Sequence, residues 1–189
     1  MNKPKKTAAP LSIAEPLRIT APFNGDDLKC LKAGDIVHLS GTIFSARDAA
    51  HKKLLEAIGW GLGLPVDIKN QAIFYLGPSP APPGKPCGSI GPTTSARMDD
   101  MTEPLLKAGL KAAIGKGKRS ENAKKLFRQY GAVYFVAVGG VAAYLSRKVK
   151  KIEVVAYRYL GPEAIYRLEV KDFPLIVAYD SHGGDIFTR

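Results

Sequence analysis

The spacing of apolar residues changes from one stretch of the chain to the next, and it predicts both strands and helices. Residues 17–23 and 36–44 have the composition of strands, with a partial alternation of apolar and polar side chains. Residues 46–59 instead carry apolar side chains at helical spacing, from Ala50 to Ile58. We therefore expect two strands followed by an amphipathic helix.

Short apolar runs continue this mixture along the rest of the chain. Residues 72–77, 112–117 and 132–138 have the composition of short strands, and residues 119–130 predict a basic helix. Two or three more strands are expected toward the C-terminus. Because strands and helices mix throughout, the sequence predicts the α/β class, with a single domain and a mixed sheet.

A long irregular segment is predicted over residues 78–92, which are too rich in proline and glycine for regular structure. Such a loop inside a compact domain is usually functional or disordered, and we favour a functional segment because a specific motif follows it. Beyond it, Thr102 is predicted to cap a helical segment that tolerates Pro104 in its first turn. A further helix is expected over residues 141–147, after a pair of glycines.

Composition supports one folded domain. The 189 residues are 46% hydrophobic, and no stretch approaches the roughly 20 apolar residues that span a bilayer. Residues 1–12 carry lysines but no apolar signal region, so we expect a disordered basic tail followed by one domain over residues 13–189. Cys30 and Cys87 cannot form a disulfide framework, and a cytoplasmic location is the simplest inference.

The net charge of +11 indicates an anionic partner, which could be a nucleic acid, an acidic protein or a small anionic substrate. Basic residues concentrate in residues 107–128 and 147–151. A nucleic-acid-binding domain would use these clusters and would lose affinity with salt. The sequence contains no RNP motif, zinc finger or GXXG loop in a KH context, so this function is a remote alternative.

The motif GPTTSARMDD at residues 91–100 is the first candidate site. Thr93, Thr94 and Ser95 precede Arg97 where a helix is predicted to begin. Hydroxyls and free backbone N–H groups at a helix N-terminus suit a carboxylate or phosphate, and an arginine adds a planar fork for bidentate binding. The alternative is an ordinary N-cap beside a surface arginine.

Arg47, at the start of the first predicted helix, is either a second anion-binding arginine or an ordinary surface residue. The macrodipole disfavours a cation there by about 0.3–1 kcal/mol, and such broken local rules are expected at functional sites. His51 lies four residues later, on the same helix face. The histidines and cysteines show no metal-ligand spacing, and the segment around Lys116 lacks the GxxxxGK[ST] pattern of a phosphate-binding P-loop.

Three ordered stretches resemble a known family: SGTIFSARDAAHKK, GPTTSARMDDMTEPLLKAGLKAAIGKG and VKDFPLIVAYDSHGGDIF. Together they are similar to the β subunit, or C-terminal domain, of iron–sulfur hydro-lyases, which are the class I fumarases and the L-tartrate dehydratases. The resemblance runs from about residue 10 to the end of the chain. It implies a swivelling β/β/α fold that closes over an iron–sulfur cluster.

The resemblance also implies an activity. Such an enzyme adds or removes water across a carbon–carbon bond of a C4 dicarboxylate, and conversion between fumarate and (S)-malate is expected first. Dehydration of tartrate to oxaloacetate is the alternative. In the family three cysteines of the α subunit or N-terminal domain hold a [4Fe–4S] cluster. This chain has no such trio, so the resemblance implies a separate cluster-bearing α subunit, in an expected α₂β₂ assembly.

Site residues follow from the resemblance as well. It places Arg47, Thr93, Thr94, Arg97 and Lys116 in the site, with the cationic side chains on the substrate carboxylates and Thr93 near the proton taken from carbon. An unaided hydroxyl is a poor base at neutral pH. Asp48, His51 or a group from the partner could assist, and the identity of the base stays open. A subunit kept only for assembly is a third reading, under which these anion-site residues would have no purpose.

Overall fold

The computed structural model describes residues 15–24, 26–137 and 142–188. The elements follow one another as β1 Leu17–Ala21, β2 Ile36–Ser45, α1 Asp48–Gly59, β3 Ala72–Phe74, a first 3₁₀ helix Ser95–Met101, α2 Thr102–Lys107, β4 Ala112–Gly115, α3 Glu121–Gln129, β5 Val133–Val136, α4 Ala142–Ser146, β6 Val149–Ala156, a second 3₁₀ helix Arg158–Glu163 and β7 Ile165–Tyr179. The predicted α/β class with a mixed sheet is confirmed. The basic tail predicted over residues 1–12 lies outside the described residues.

Seven strands form one sheet, in the order β1-β2-β3-β4-β5-β7-β6. Strands β1 to β5 pair in parallel, whereas β7 runs antiparallel to β2, β5 and β6. Because β7 pairs with both β2 and β5, the strands β2, β3, β4, β5 and β7 close into a barrel-like ring. Gly41 makes room for β1 in this arrangement, since its φ is +99° and a Cβ there would collide with the Ala21 carbonyl.

Two hydrophobic clusters fill the two sides of this sheet. One lies within the ring of strands, where Phe74 of β3 meets Phe173 of β7 with ring centroids 5.6 Å apart. The other lies between the sheet and the helices, and it contains Leu54 of α1, Phe127 of α3 and Tyr134 of β5. Both faces of the central strands are therefore buried, which explains why their sequences are continuously apolar rather than alternating.

Most helix predictions agree with the structure, but one capping residue was wrong. The N-cap residue of α2 is Met101, and Thr102 is buried with its hydroxyl donating to the Met98 carbonyl at 2.7 Å. The first 3₁₀ helix runs directly into α2, so position 102 has no free helix start to cap. Pro104 does occupy the first turn of α2. Ser120 caps α3 by accepting a hydrogen bond from the Ala123 amide at 3.2 Å.

The remaining expectations fall partly within the described residues. Residues 78–92 form neither helix nor strand, which confirms the predicted irregular segment. The glycine pair before α4 lies outside the described residues. Two strands, β6 and β7, complete the C-terminal part, as expected. In the parts of the chain that the structure describes, no helix is both long and apolar enough to cross a membrane.

A buried ionic network ties the helices to the sheet. The side chain of Arg119 is fully buried and donates to the Asp99 carboxylate at 2.7 Å, to the Tyr75 hydroxyl at 3.1 Å and to the Thr102 hydroxyl at 2.5 Å. The second oxygen of Asp99 accepts from the Ser120 amide at 2.7 Å. Each of the three guanidinium nitrogens and both Asp99 oxygens thus have a partner, as a buried ion pair requires.

Aromatic rings surround the same guanidinium. Its carbon lies 5.1–5.5 Å from the ring centroids of Tyr75, Phe127 and Tyr134. Burial alone would lower the pKa of Arg119, but Tyr75 and the Asp99 carboxylate raise it above its ordinary value, so the side chain stays charged. This role could not be predicted from the sequence, because Arg119 lies among basic residues of which Lys116 and Lys118 are exposed.

A second titratable side chain, His51, is buried beneath the first turn of α1. Its Nδ1 lies 3.1 Å from the Arg47 carbonyl, which can only accept, so Nδ1 carries the proton. Its Nε2 has no hydrogen-bond partner among the described residues. Burial lowers the pKa of His51 to about 4, although the hydrogen bond to Arg47 opposes this shift. The imidazole is therefore neutral at neutral pH.

We predict that Arg119→Met destabilises the protein by about 3–5 kcal/mol, because it leaves the Asp99 carboxylate buried without its partner. Urea unfolding followed by far-UV circular dichroism measures the change. Lys118→Met is the matched control, since it removes a neighbouring cation whose side chain is half exposed. Equal stability of the two variants would contradict a structural role for Arg119.

The buried histidine predicts a specific loss of stability in acid. The pKa of His51 is about 4 in the folded chain and 6.5 ordinarily, so the unfolded chain binds the extra proton between these values. Stability contributed by the neutral imidazole should fall as the pH falls from about 6.5 to about 4, by at most about 1.4 kcal/mol per pH unit. His51→Asn, whose amide can still donate to the Arg47 carbonyl, should show a shallower fall.

The control for this measurement is His182→Gln at an exposed histidine. We expect its urea midpoint to fall with pH as steeply as that of the wild type. A His51→Asn variant that loses stability as steeply as the wild type over this range would show that His51 does not cause the acid sensitivity.

Candidate active site

The predicted site residues follow the carboxyl ends of neighbouring parallel strands. Arg47 comes two residues after β2, and Lys116 comes directly after β4. Thr93 reaches the end of β3 between them, because its amide donates to the Tyr75 carbonyl at 2.7 Å. Strands β2, β3 and β4 are parallel neighbours, so these residues share one edge of the sheet. This edge is where open α/β sheets bind ligands.

Residues 93–94 form an extended segment, here called the strap, and do not begin an α-helix. The Lys116 amide donates to the Thr93 carbonyl at 3.3 Å, and the Ser95 amide donates to the Lys116 carbonyl at 3.1 Å. The buried Ser95 hydroxyl also lies 3.1 Å from the Lys116 amide and 2.9 Å from the Tyr134 hydroxyl. Gly115 leaves room for Ser95, since a Cβ there would collide with its hydroxyl.

This strap corrects one expectation from the sequence. The amides of Thr93 and Ser95 are already used by protein carbonyls, and the Ser95 hydroxyl is part of the core, so they are not free to bind an anion. The reason is that the segment pairs with the extensions of β3 and β4 before the 3₁₀ helix begins. Thr94 is exposed and Thr93 is partly exposed, so their two hydroxyls remain near the surface.

Arg97 forms a side-on pair with Asp48. Its Nε donates to Asp48 Oδ1 at 2.9 Å, and its Nη2 donates to Asp48 Oδ2. The guanidinium side chain is 49% exposed, so this pair lies at the surface edge of the site. The edge of the fork formed by Nε and Nη2 is therefore occupied by a protein carboxylate. A ligand carboxylate must approach the Nη1 side or displace Asp48.

The charges around Asp48 weaken it as a proton acceptor. Burial raises the pKa of Asp48, but the hydrogen bond from Arg97, a backbone hydrogen bond and the charges of Arg97 and Arg47 together hold it below its usual value. The carboxylate is thus anionic at neutral pH and a poor base. Its position in the first turn of α1 also suits the helix macrodipole. A catalytic role for Asp48 stays a prediction.

Arg47 lies between two carboxylates. Its Nε is 3.4 Å from Glu163 Oε1 and 3.5 Å from Asp48 Oδ2. The second oxygen of Glu163 accepts from the Ala49 amide at 2.7 Å, so Glu163 caps α1 from outside the helix. These contacts offset the unfavourable placement of a cation at the N-cap position. Sequence reasoning missed Glu163, because it is 114 residues from Ala49 and no local pattern marks it.

The candidate site has three cations and two carboxylates at this edge, and ion pairs join the two arginines to the carboxylates. Arg47, Arg97 and Lys116 supply the positive charges, and Asp48 and Glu163 balance two of them. A dianion bound here would be only partly neutralised by this chain. His51 lies under this cluster with no exposed surface, so its ring does not reach a ligand at the edge of the sheet. Its predicted catalytic role is untested.

The described residues do not fit an iron–sulfur cluster. Cys30 is exposed and Cys87 is buried, and the described ranges contain no group of three His, Cys, Asp or Glu side chains close enough to hold a metal ion. The thiolates that such a cluster needs are therefore not gathered in this part of the chain.

Known proteins resemble this chain over most of its length. A protein of Methanocaldococcus jannaschii, "Putative L(+)-tartrate dehydratase subunit beta", is 46% identical over 167 residues, which cover 85% of this chain and 86% of that protein. The anaerobic class I fumarate hydratase of Escherichia coli is 43% identical over 153 residues, and mitochondrial fumarate hydratase 1 of Leishmania major is 39% identical over 153 residues.

The extent of these matches differs between the two kinds of relative. Each of these two fumarate hydratase matches covers 80% of this chain but only 28% of the fumarate hydratase. Most of the length of those enzymes therefore lies outside the match. The family model described as the fumarase C-terminus matches residues 2–189. This chain therefore belongs to the fumarase C-terminus family.

Proposed function

We propose that this chain is the β subunit of a hydro-lyase that interconverts fumarate and (S)-malate, and that it closes over the bound substrate. The observation that carries the proposal is the arrangement at the carboxyl edge of β2, β3 and β4. There a chain of the fumarase C-terminus family has three cationic side chains and two threonines, each exposed or partly exposed. A C4 dicarboxylate is a dianion, and fixed cations aimed at its carboxylates are the groups that its binding requires.

The roles of the residues follow from their chemistry. Arg47 and Arg97 bind the substrate carboxylates through the guanidinium edges that Asp48 and Glu163 leave open. Lys116, exposed at the end of β4, adds a third cation, and Thr94 offers a hydrogen bond. Thr93 lies closest to the strand ends and faces the carbon that loses its proton. The proton acceptor is either the Thr93 hydroxyl, assisted by a second group, or a side chain of the partner subunit.

We further propose a cluster-bearing α subunit as the partner. Two observations support it: the described residues lack the ligands for a [4Fe–4S] cluster, and the chain spans 28% of the fumarate hydratases that it matches. The partner would supply the cluster, would cover the open edge of the sheet and would exclude water from the bound dianion. Exclusion of water strengthens the arginine–carboxylate contacts. An α₂β₂ assembly is proposed.

L-tartrate is the second candidate substrate. The M. jannaschii protein, named "Putative L(+)-tartrate dehydratase subunit beta", matches over 86% of its own length and 85% of this chain. Tartrate and malate differ by one hydroxyl group, and one changed contact is enough to separate such substrates. That contact can belong to the α subunit, so the cations of this chain serve either substrate.

The proposal predicts an activity that depends on assembly. The chain purified alone should be colourless and inactive, whereas the complex formed by anaerobic co-expression with the α subunit should convert fumarate to malate. Ultraviolet absorbance of fumarate measures the reaction, with malate, L-tartrate and D-tartrate tested in parallel. A stoichiometric iron–sulfur chromophore in the chain alone would contradict the subunit assignment, and a complex that acts only on L-tartrate would replace fumarate by tartrate.

Substitution of Arg97 tests the site directly. Lysine keeps the charge but cannot donate to Asp48 and to a substrate carboxylate with the same planar geometry. We predict that Arg97→Lys lowers kcat/KM of the assembled enzyme by roughly ten- to a hundredfold, as expected for one lost charge-assisted hydrogen bond, at an unchanged thermal midpoint.

The control for Arg97→Lys is Arg18→Lys, which alters an arginine–aspartate pair between β1 and β7. Arg18 donates to Asp172 at 2.9 Å, and its side chain is 78% exposed. This variant should keep wild-type kcat/KM. Identical kinetics for the Arg97→Lys and Arg18→Lys enzymes would remove Arg97 from the substrate site.

A further inference from the structure

We infer that Glu163 is a positioning residue that holds the guanidinium of Arg47 in the orientation that binds a substrate carboxylate. The inference rests on the proposed function and extends it to a residue of the second 3₁₀ helix, far from the strand ends in sequence. Glu163 does not touch the substrate in this arrangement. It acts through Arg47.

Each oxygen of the Glu163 carboxylate contacts a different group of α1 or its N-cap residue. Oε2 accepts from the Ala49 amide at 2.7 Å, which fixes the carboxylate against the first turn of α1. Oε1 then lies 3.4 Å from Arg47 Nε. The carboxylate is thus immobilised by the backbone of the helix whose N-cap residue it orients. A carboxylate anchored in this way places a charge at a fixed point, as a mobile surface side chain cannot.

The chain that follows β3 approaches the opposite side of the Arg47 guanidinium closely. A Cβ on Gly77 would lie 3.2 Å from Arg47 Nη1 and 2.9 Å from the Pro162 carbonyl. The φ of Gly77 lies outside the left-handed region, so close approach rather than backbone conformation explains the glycine. Gly77, Pro162 and Arg47 therefore meet at one junction, and Glu163 directly follows Pro162 in the chain.

This junction leaves one edge of the guanidinium for a ligand. Glu163 and Asp48 lie beside Nε, and Gly77 lies against Nη1, so the side chain has little freedom although it is only partly buried. An arginine that is already ordered loses less conformational freedom on binding than a free one. Removal of the Glu163 charge should accordingly weaken substrate binding more than it slows the chemical step.

A purely structural role is the competing explanation, in which Glu163 only caps α1. Glutamine separates the two roles, because its amide oxygen can still accept from the Ala49 amide whereas its charge is gone. Glu163→Gln therefore preserves the cap and removes the ion pair. A matched control is Glu153→Gln, which neutralises an exposed glutamate that pairs with Arg167 on the sheet.

The experiment measures kcat and KM of the assembled enzyme for its best dicarboxylate, in five forms: wild type, Glu163→Gln, Arg47→Lys, the double variant and the control Glu153→Gln. We expect Glu163→Gln to raise KM about tenfold with kcat within about threefold, the pattern of a lost binding contact. In the Arg47→Lys enzyme the same change should alter kcat/KM by less than about twofold, because coupled residues are not additive. Glu153→Gln should match the wild type.

A second measurement does not depend on catalysis. In ¹⁵N NMR spectra of the isolated chain, the Arg47 Nε–H signal is the one that Arg47→Lys abolishes, and it should exchange with water several times faster after Glu163→Gln. Unchanged exchange together with unchanged KM would overturn the inference. An assembled wild type that acts on no dicarboxylate would overturn the proposed function instead, and the NMR comparison would still decide whether Glu163 holds Arg47.

Discussion

The buried pair of Arg119 and Asp99 is the interaction on which the arrangement of the helices depends. A fully buried guanidinium is costly unless it has hydrogen-bond partners, and here they come from Tyr75 directly after β3, from α2 and from the first 3₁₀ helix. The pair thus links three elements at a point where apolar packing alone would leave several arrangements possible. Asp99 lies two residues after Arg97 on the same short helix, so the network also fixes the backbone that presents Arg97, an arginine of the proposed site.

The candidate site also pairs arginines with carboxylates, but these side chains are more exposed than those of the buried network. Arg97 is held by Asp48, and Arg47 is held by Asp48 and Glu163, so each arginine has a carboxylate at its Nε edge. This pairing lowers the net charge of the site and orders two long side chains before a ligand binds. Since a preorganised cation loses less freedom on binding, the arrangement favours recognition of a planar carboxylate over nonspecific attraction of anions.

Local sequence patterns were sufficient to predict most elements, whereas the common edge at which the proposed site residues lie became visible only in the structure. The apolar stripe of α1, the short buried strands and the proline-rich segment each follow from neighbouring residues, and parallel strands bring the residues that follow them to a common edge. The contacts of Arg119 and Glu163 could not be predicted in this way, because their partners are distant in sequence. The closure of the sheet through β7 and the use of the Ser95 hydroxyl in the core depend on the same kind of long-range pairing.

The neutral His51 supports the first turn of α1 without adding a positive charge to it. Its Nδ1–H donates to the Arg47 carbonyl, so the backbone of Arg47 is fixed from below while Glu163 and Asp48 fix its guanidinium from the side. The charge of Arg119 also acts to lower the pKa of His51, together with burial. A charged imidazole there would add a cation to a region that already holds buried Arg119 beside the site arginines. By remaining neutral, His51 can support Arg47 through a hydrogen bond without repelling the cations of the proposed substrate site.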